Sequence, residues 1–229
     1  MPFAVTGLEP QEYQTLQAWL AAGAPVDQQA LQPSASEAGQ IVEWEALLNA
    51  NGARASLVSR WLYEHLFIAH LYFAGGEPGH FFQLVRSRTP SGQPIDPIAT
   101  RRPNDDPGNT FYYRLSPVQG VIVHKTHLTY GLSAQKLARV NVPFFSGNWT
   151  VEAVPGYGPQ RRANPFETFA AIPAQARYQF MLDNAEYFVR TFIRGPVCRG
   201  QIATDVIRDQ FWTLFQAPEQ DLYITDAEF

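Results

Sequence analysis

The sequence predicts an α+β fold, predominantly helical, with a small antiparallel β-sheet inserted among the helices. Three observations predict it. Apolar residues recur at helical spacing at both ends of the chain, short β-branched and aromatic runs occupy the middle, and Pro/Asp/Gly-rich stretches separate those runs.

Glu9-Pro10 opens a first helix carrying Tyr13, Leu16, Trp19 and Leu20, which Gly23 and Pro25 stop. A polar connector follows to Ser36. A second helix places Ile41, Trp44, Leu47 and Leu48 on one side and ends at Asn51-Gly52. A third runs from about Arg54 to Phe73, with so much apolar surface that it is expected to be central. Phe81–Thr89, Phe111–Leu115 and Val118–His127 read as strands. Ser133 caps a short helix through Val140, and a Pro- and Gly-rich excursion leads on to Pro173. One helix is expected over Ala174–Arg194, and another after the Gly195-Pro196 break, towards Pro218.

A chain of 229 residues, 45% hydrophobic and 17% charged, can bury a large core. A net charge of −4, with no Lys/Arg run longer than a pair, argues against nucleic acid as a partner. One cysteine, Cys198, allows no internal disulfide, CxxC pair or CxxCH haem-attachment motif. The N-terminal residues show no signal peptide, and Leu62–Phe73, interrupted by Glu64, His65 and His70, is too short and polar for a transmembrane segment. Neither a GxSxG elbow nor an HExxH motif occurs, which weakens a hydrolase or metal-enzyme reading.

Three blocks carry a resemblance. SRWLYEHLFIAHLYF (Ser59–Phe73), continued by FFQLVRSRTPSGQPIDPIATRRPNDDPG (Phe81–Gly108), is one. YYRLSPVQGVIVHKTHLTYGL (Tyr112–Leu132) and RGPVCRGQIATDVIRDQFW (Arg194–Trp212) are the others. They resemble bacterial fatty acid cis/trans isomerases, enzymes that contain haem c and convert cis double bonds of membrane acyl chains to trans as part of stress adaptation. The resemblance implies a periplasmic isomerase acting on membrane phospholipid or free unsaturated fatty acid. It also implies haem c in the full-length protein, attached through a CxxCH motif upstream. Because that motif is absent here, the chain is expected to be a fragment lacking activity alone, with an upstream haem domain as its partner. The competing reading is a haem-free domain that interacts with lipid or membrane without catalysis.

Met1-Pro2 followed by LEPQEYQTLQAWLAAGAP (Leu8–Pro25) resembles the end of a cytochrome c domain, an axial Met and then a closing helix. Residues 1–25 are accordingly expected to be the C-terminal helix of a truncated cytochrome c-like domain, with Met1 as axial haem ligand, and 26–229 the main body. The competing view of Met1 is an initiator.

An isolated C=C offers no acidic proton, so acid–base groups alone accomplish little. Rotation needs the π bond weakened, which is cofactor chemistry that the protein orients. No catalytic residue is therefore assigned outright. His65 and His70, five apart on one expected helix, point about 140° apart and cannot share a metal. His124 and His127, read as extended, face opposite sides and lack a third ligand for zinc. Each is weighed as a substrate- or haem-positioning residue against a buried, hydrogen-bonded one. Arg86, Arg88, Arg101 and Arg102 are weighed as a grip on lipid phosphate or haem propionate, against an ion-pair network with Asp105 and Asp106. Cys198, at a predicted helix start between Arg194 and Arg199, is weighed as a thiol that adds reversibly to an alkene, against a structural Cys.

Overall fold

The computed structural model describes residues 7–25, 32–124, 126–194, 214, 216–220 and 226. Met1, Cys198 and the helix expected after Pro196 lie outside the described residues. Two compact units divide between Gln32 and Pro33.

The first unit contains α1 (Pro10–Ala21), opened by a capping box in which Glu9 and Glu12 bond each other's backbone N–H. After its last turn, Trp19 Nε1 donates to the Pro25 carbonyl at 2.9 Å.

In the second unit the described residues form helices α2 (Ala35–Leu48), α3 (Ala53–Leu66), α4 (Ala134–Phe145), α5 (Pro159–Ala163), α6 (Pro165–Thr168), α7 (Ala174–Asp183) and α8 (Ala185–Arg194). Strands β1 (His70–Phe73), β2 (Phe82–Ser87), β3 (Tyr112–Pro117) and β4 (Thr129–Leu132) form one sheet in the order β3-β2-β1-β4. The α+β class is as expected. The sheet, however, is mixed: β2 is antiparallel to both β1 and β3, but β1 runs parallel to β4. The chain returns to the β1 edge only after passing through β2 and β3, and arrives in the same direction.

Further expectations are corrected. The third helix ends at Leu66, and the residues assigned to its end become β1, because His70 N donates to the Leu128 carbonyl at 2.8 Å. His65 and His70 therefore sit on different elements. The strand expected over Val118–His127 is a loop turning at His124–His127, and the real strand starts at Thr129. Arg190 holds that loop by donating to the carbonyls of His124 and His127, 3.1 Å each. The single helix expected over Ala174–Arg194 breaks at Asn184, whose Nδ2 turns back to the Phe180 carbonyl at 2.7 Å. Finally, the excursion before Pro173 contains the short α5 and α6, and α4 runs on through Pro143 to Phe145.

The core gathers Trp44 and Leu48 from α2, Leu57, Val58 and Leu62 from α3, and the inward strand residues Leu71, Phe73, Leu84 and Leu115. Phe144, Phe169, Ile172 and Phe180 extend it beneath α4 and α7. Three buried ionic devices tie it together. Glu45 accepts from Arg114 Nε at 2.9 Å and Leu115 N at 2.9 Å, while Arg114 Nη1 donates to the carbonyls of Thr89, Pro90 and Gln93. Arg60 bonds Glu64 at 2.7 Å and stacks over Tyr157 at 3.9 Å. Glu37, fully buried, accepts from Ser34 N, Glu77 N and His80 Nδ1. These are the arrangements that make interior charges tolerable.

Candidate functional site

Alternation along β1 turns Leu71 and Phe73 into the core and leaves His70 and Tyr72 on the opposite face. The parallel register sets Tyr72 beside Gly131 and His70 beside Thr129. Gly131 leaves the space that the Tyr72 ring occupies: a Cβ there would meet the ring at 3.0 Å. His124, from the loop before β4, packs edge-on against Tyr72 (5.0 Å) and Phe81 (5.4 Å), and its Nδ1 lies 3.0 Å from the Thr129 hydroxyl.

Along this edge run two adjoining cavities, of about 290 and 610 Å³, with Tyr72, Gly131, Lys136 and Asp183 in the walls of both. Ser133 caps α4, accepting from Lys136 N at 3.0 Å, and so fixes where Lys136 leaves the helix. Its ammonium sits 3.9 Å over the Tyr130 ring. Burial lowers the Lys136 ammonium below the ordinary lysine range, with the Asp183 carboxylate acting the other way. Burial also pushes the Asp183 carboxyl up, but hydrogen bonds from Arg139 and Gln179 outweigh it and hold the group below the usual carboxylate range. On the far wall, Arg190 lies 3.8 Å from Glu186. Tyr130 and Tyr187 are raised by burial and stay neutral phenols. The result is a cleft with an aromatic wall, a surplus of cationic groups and no activated nucleophile evident among them.

The histidines are distributed unevenly around it. His124 lines the smaller cavity, and His70 and His127 pack ring to ring at 5.1 Å near the same strand edge. His65 is elsewhere. It is packed against Trp61 at 3.8 Å and close to Phe169, Phe180 and Phe188, with Nδ1 on the Trp61 carbonyl at 2.7 Å. Burial lowers its pKa.

None of the four arginines lines the cleft. Arg86 is buried, donates to the Asp105 carbonyl (2.8 Å) and the Thr100 hydroxyl (2.6 Å), and stacks on Tyr63. Arg88 pairs with Asp96 at 3.0 Å, while Arg101 and Arg102 are exposed. Sequence reasoning missed Lys136, Tyr72 and Asp183. The available signal was the Ser133 cap, which puts a lysine in the first turn of a helix where cations are disfavoured.

Covalent haem does not fit these residues. Cys198 is the one cysteine and no CxxCH occurs. Among the described residues, no three His, Cys, Asp or Glu gather to hold a metal ion, and His65 and His124 direct Nδ1 to internal partners. No helix among them is long and apolar enough to cross a membrane.

The family model described as Fatty acid cis/trans isomerase (CTI) matches residues 1–229, the whole length of the chain. No curated protein and no solved structure matches it.

Proposed function

We propose, from the premise that the chain belongs to the fatty acid cis/trans isomerase family, that it forms the acyl-binding body of an enzyme converting cis-unsaturated chains of membrane lipids to trans. The family match across all 229 residues carries this reading. The cleft supports it, because aromatic side chains beside cationic ones suit a ligand with an apolar chain and a charged head.

In this reading haem c resides in another segment of the polypeptide, placed upstream, and the protein works in the periplasm. Haem bound there would supply the electron exchange needed to lower the C=C bond order. The residues of this chain do the rest: the cleft takes the acyl chain from water or from the bilayer, fixes its direction and restricts where the double bond comes to rest. No side chain here needs to move a proton, since substrate and product differ only by rotation.

The test is expression of the complete gene in a bacterium that makes no trans-unsaturated acyl chains, followed by gas chromatography of fatty acid methyl esters. Trans isomers should appear. An unchanged acyl profile from a folded, haem-loaded protein would sink the proposal.

A further inference from the structure

The charges along the cleft do not cancel, and the imbalance has an address. Asp183 is committed: Oδ2 takes Arg139 Nε at 2.6 Å, and Oδ1 takes Arg139 Nη2 at 3.0 Å and Gln179 Nε2 at 2.7 Å. Glu186 faces Arg190, whose guanidinium also holds the His124 and His127 carbonyls. Lys136 is different. Among the described residues its Nζ has the Tyr130 ring beneath it, with neither an ion-pair carboxylate within 4.0 Å nor a hydrogen-bond acceptor.

An ammonium pulled partly out of water, set over an aromatic ring and bonded to no protein acceptor is favoured by an anion that replaces the water still reaching it. Lys136 stands in the wall shared by both cavities, two residues into α4, where the first N–H groups and the helix dipole add positive potential. Tyr72 and His124, packed with Phe81, give the smaller cavity an aromatic side.

We propose that Lys136 anchors the anionic head of an acyl lipid, a carboxylate or a phosphate, so that the chain lies along the Tyr72–His124 wall. The inference rests on the acyl-substrate reading above and deepens it: head-group capture sets how far along the chain the double bond sits. Lys136 is then a binding residue, and Arg139, bonded to both Asp183 oxygens, keeps the acid from pairing directly with it.

Binding of palmitoleate, palmitoleyl alcohol and palmitoleoyl lysophosphatidylglycerol to the 229-residue chain, by calorimetry, tests this. Wild-type protein should prefer at least one charged ligand to the alcohol. Lys136→Met, which keeps the apolar stem, should weaken that ligand about 10- to 100-fold, the loss expected of one charge-assisted contact. Alcohol binding should stay unchanged, and Lys136→Arg should restore most of the affinity. Whichever charged ligand loses affinity identifies the head group, carboxylate or phosphodiester. Equal binding of acid, lysolipid and alcohol, or an unaffected Lys136→Met, overturns the anchor and leaves the acyl reading standing. No binding of any of the three to a folded chain overturns both.

Discussion

Glu37 offers the sharpest energetic test of how the cleft is held in place. Its carboxylate is completely buried and takes Ser34 N at 2.8 Å, Glu77 N at 3.0 Å and His80 Nδ1 at 2.9 Å. It thereby pins the turn between β1, which carries Tyr72, and Phe81, which packs on His124. Gly76 lets the carboxylate approach, for a Cβ there would lie 2.7 Å from Glu37 Oε1. Glu37→Ala leaves Ser34 N, Glu77 N and the half-buried His80 without their acceptor, and at roughly 1 kcal/mol for each of these partly exposed groups, plus the space left by the buried stem, the loss should be about 3–5 kcal/mol. For a domain of this size that corresponds to a fall in Tm of roughly 6–20 °C, measurable by circular dichroism. Burial alone would raise the Glu37 pKa, but hydrogen bonds from His80, Ser34 and Glu77 prevail and leave it below the ordinary 4.5. A carboxylate depressed in the folded state stabilises above its unfolded pKa and loses that contribution as pH falls through the folded value. The gap between wild type and Glu37→Ala should therefore be full at pH 7 and shrink below about pH 4.5. A gap under about 1 kcal/mol at neutral pH, or one that ignores acidification, would refute the reasoning.

Three other outcomes are expected. Gly131→Ala puts a Cβ 3.0 Å from the Tyr72 ring, which must shift by a few tenths of an ångström in the cavity wall, so it should weaken acyl-ligand binding severalfold while costing the fold only about 1 kcal/mol, read by calorimetry and urea unfolding. Glu45→Gln leaves the buried Arg114 without its carboxylate and should cost about 3 kcal/mol in urea, whereas Glu45→Gln/Arg114→Met together should cost less than the two single changes summed. His65, kept neutral by burial, should show an NMR titration displaced below 6.5. Because the unfolded chain takes up that proton first, its contribution to stability should fade as pH drops through 6.5, and His65→Phe should remove that slope.

What the sequence reveals here depends on whether a feature is local. Ser133 and the Glu9-Pro10 start declare their helices in neighbouring residues, and β2 and β3 announce themselves by composition and turns. The end of α3 does not. Phe67–Phe73 carries an apolar pattern that fits a helix as well as a strand, and only pairing with β4, about sixty residues away, decides it. Val121-Ile122-Val123 has the β-branched character of a strand yet forms a loop, because Arg190 captures carbonyls on that loop while Tyr130 and Leu132 take the buried positions. The site follows the same rule. Histidines attract notice as residue types, whereas Lys136 becomes conspicuous only when Asp183, fixed by Arg139, is seen to be occupied.

On the proposed function, this fold serves geometric isomerisation of an acyl chain. The most direct measurement incubates palmitoleate with the purified protein encoded by the complete gene and locates the double bond of the product by mass spectrometry of its dimethyl disulfide adduct. A trans product with the double bond in its original position is the predicted result. No trans product from folded, haem-loaded protein, or a product whose double bond has migrated, would contradict it.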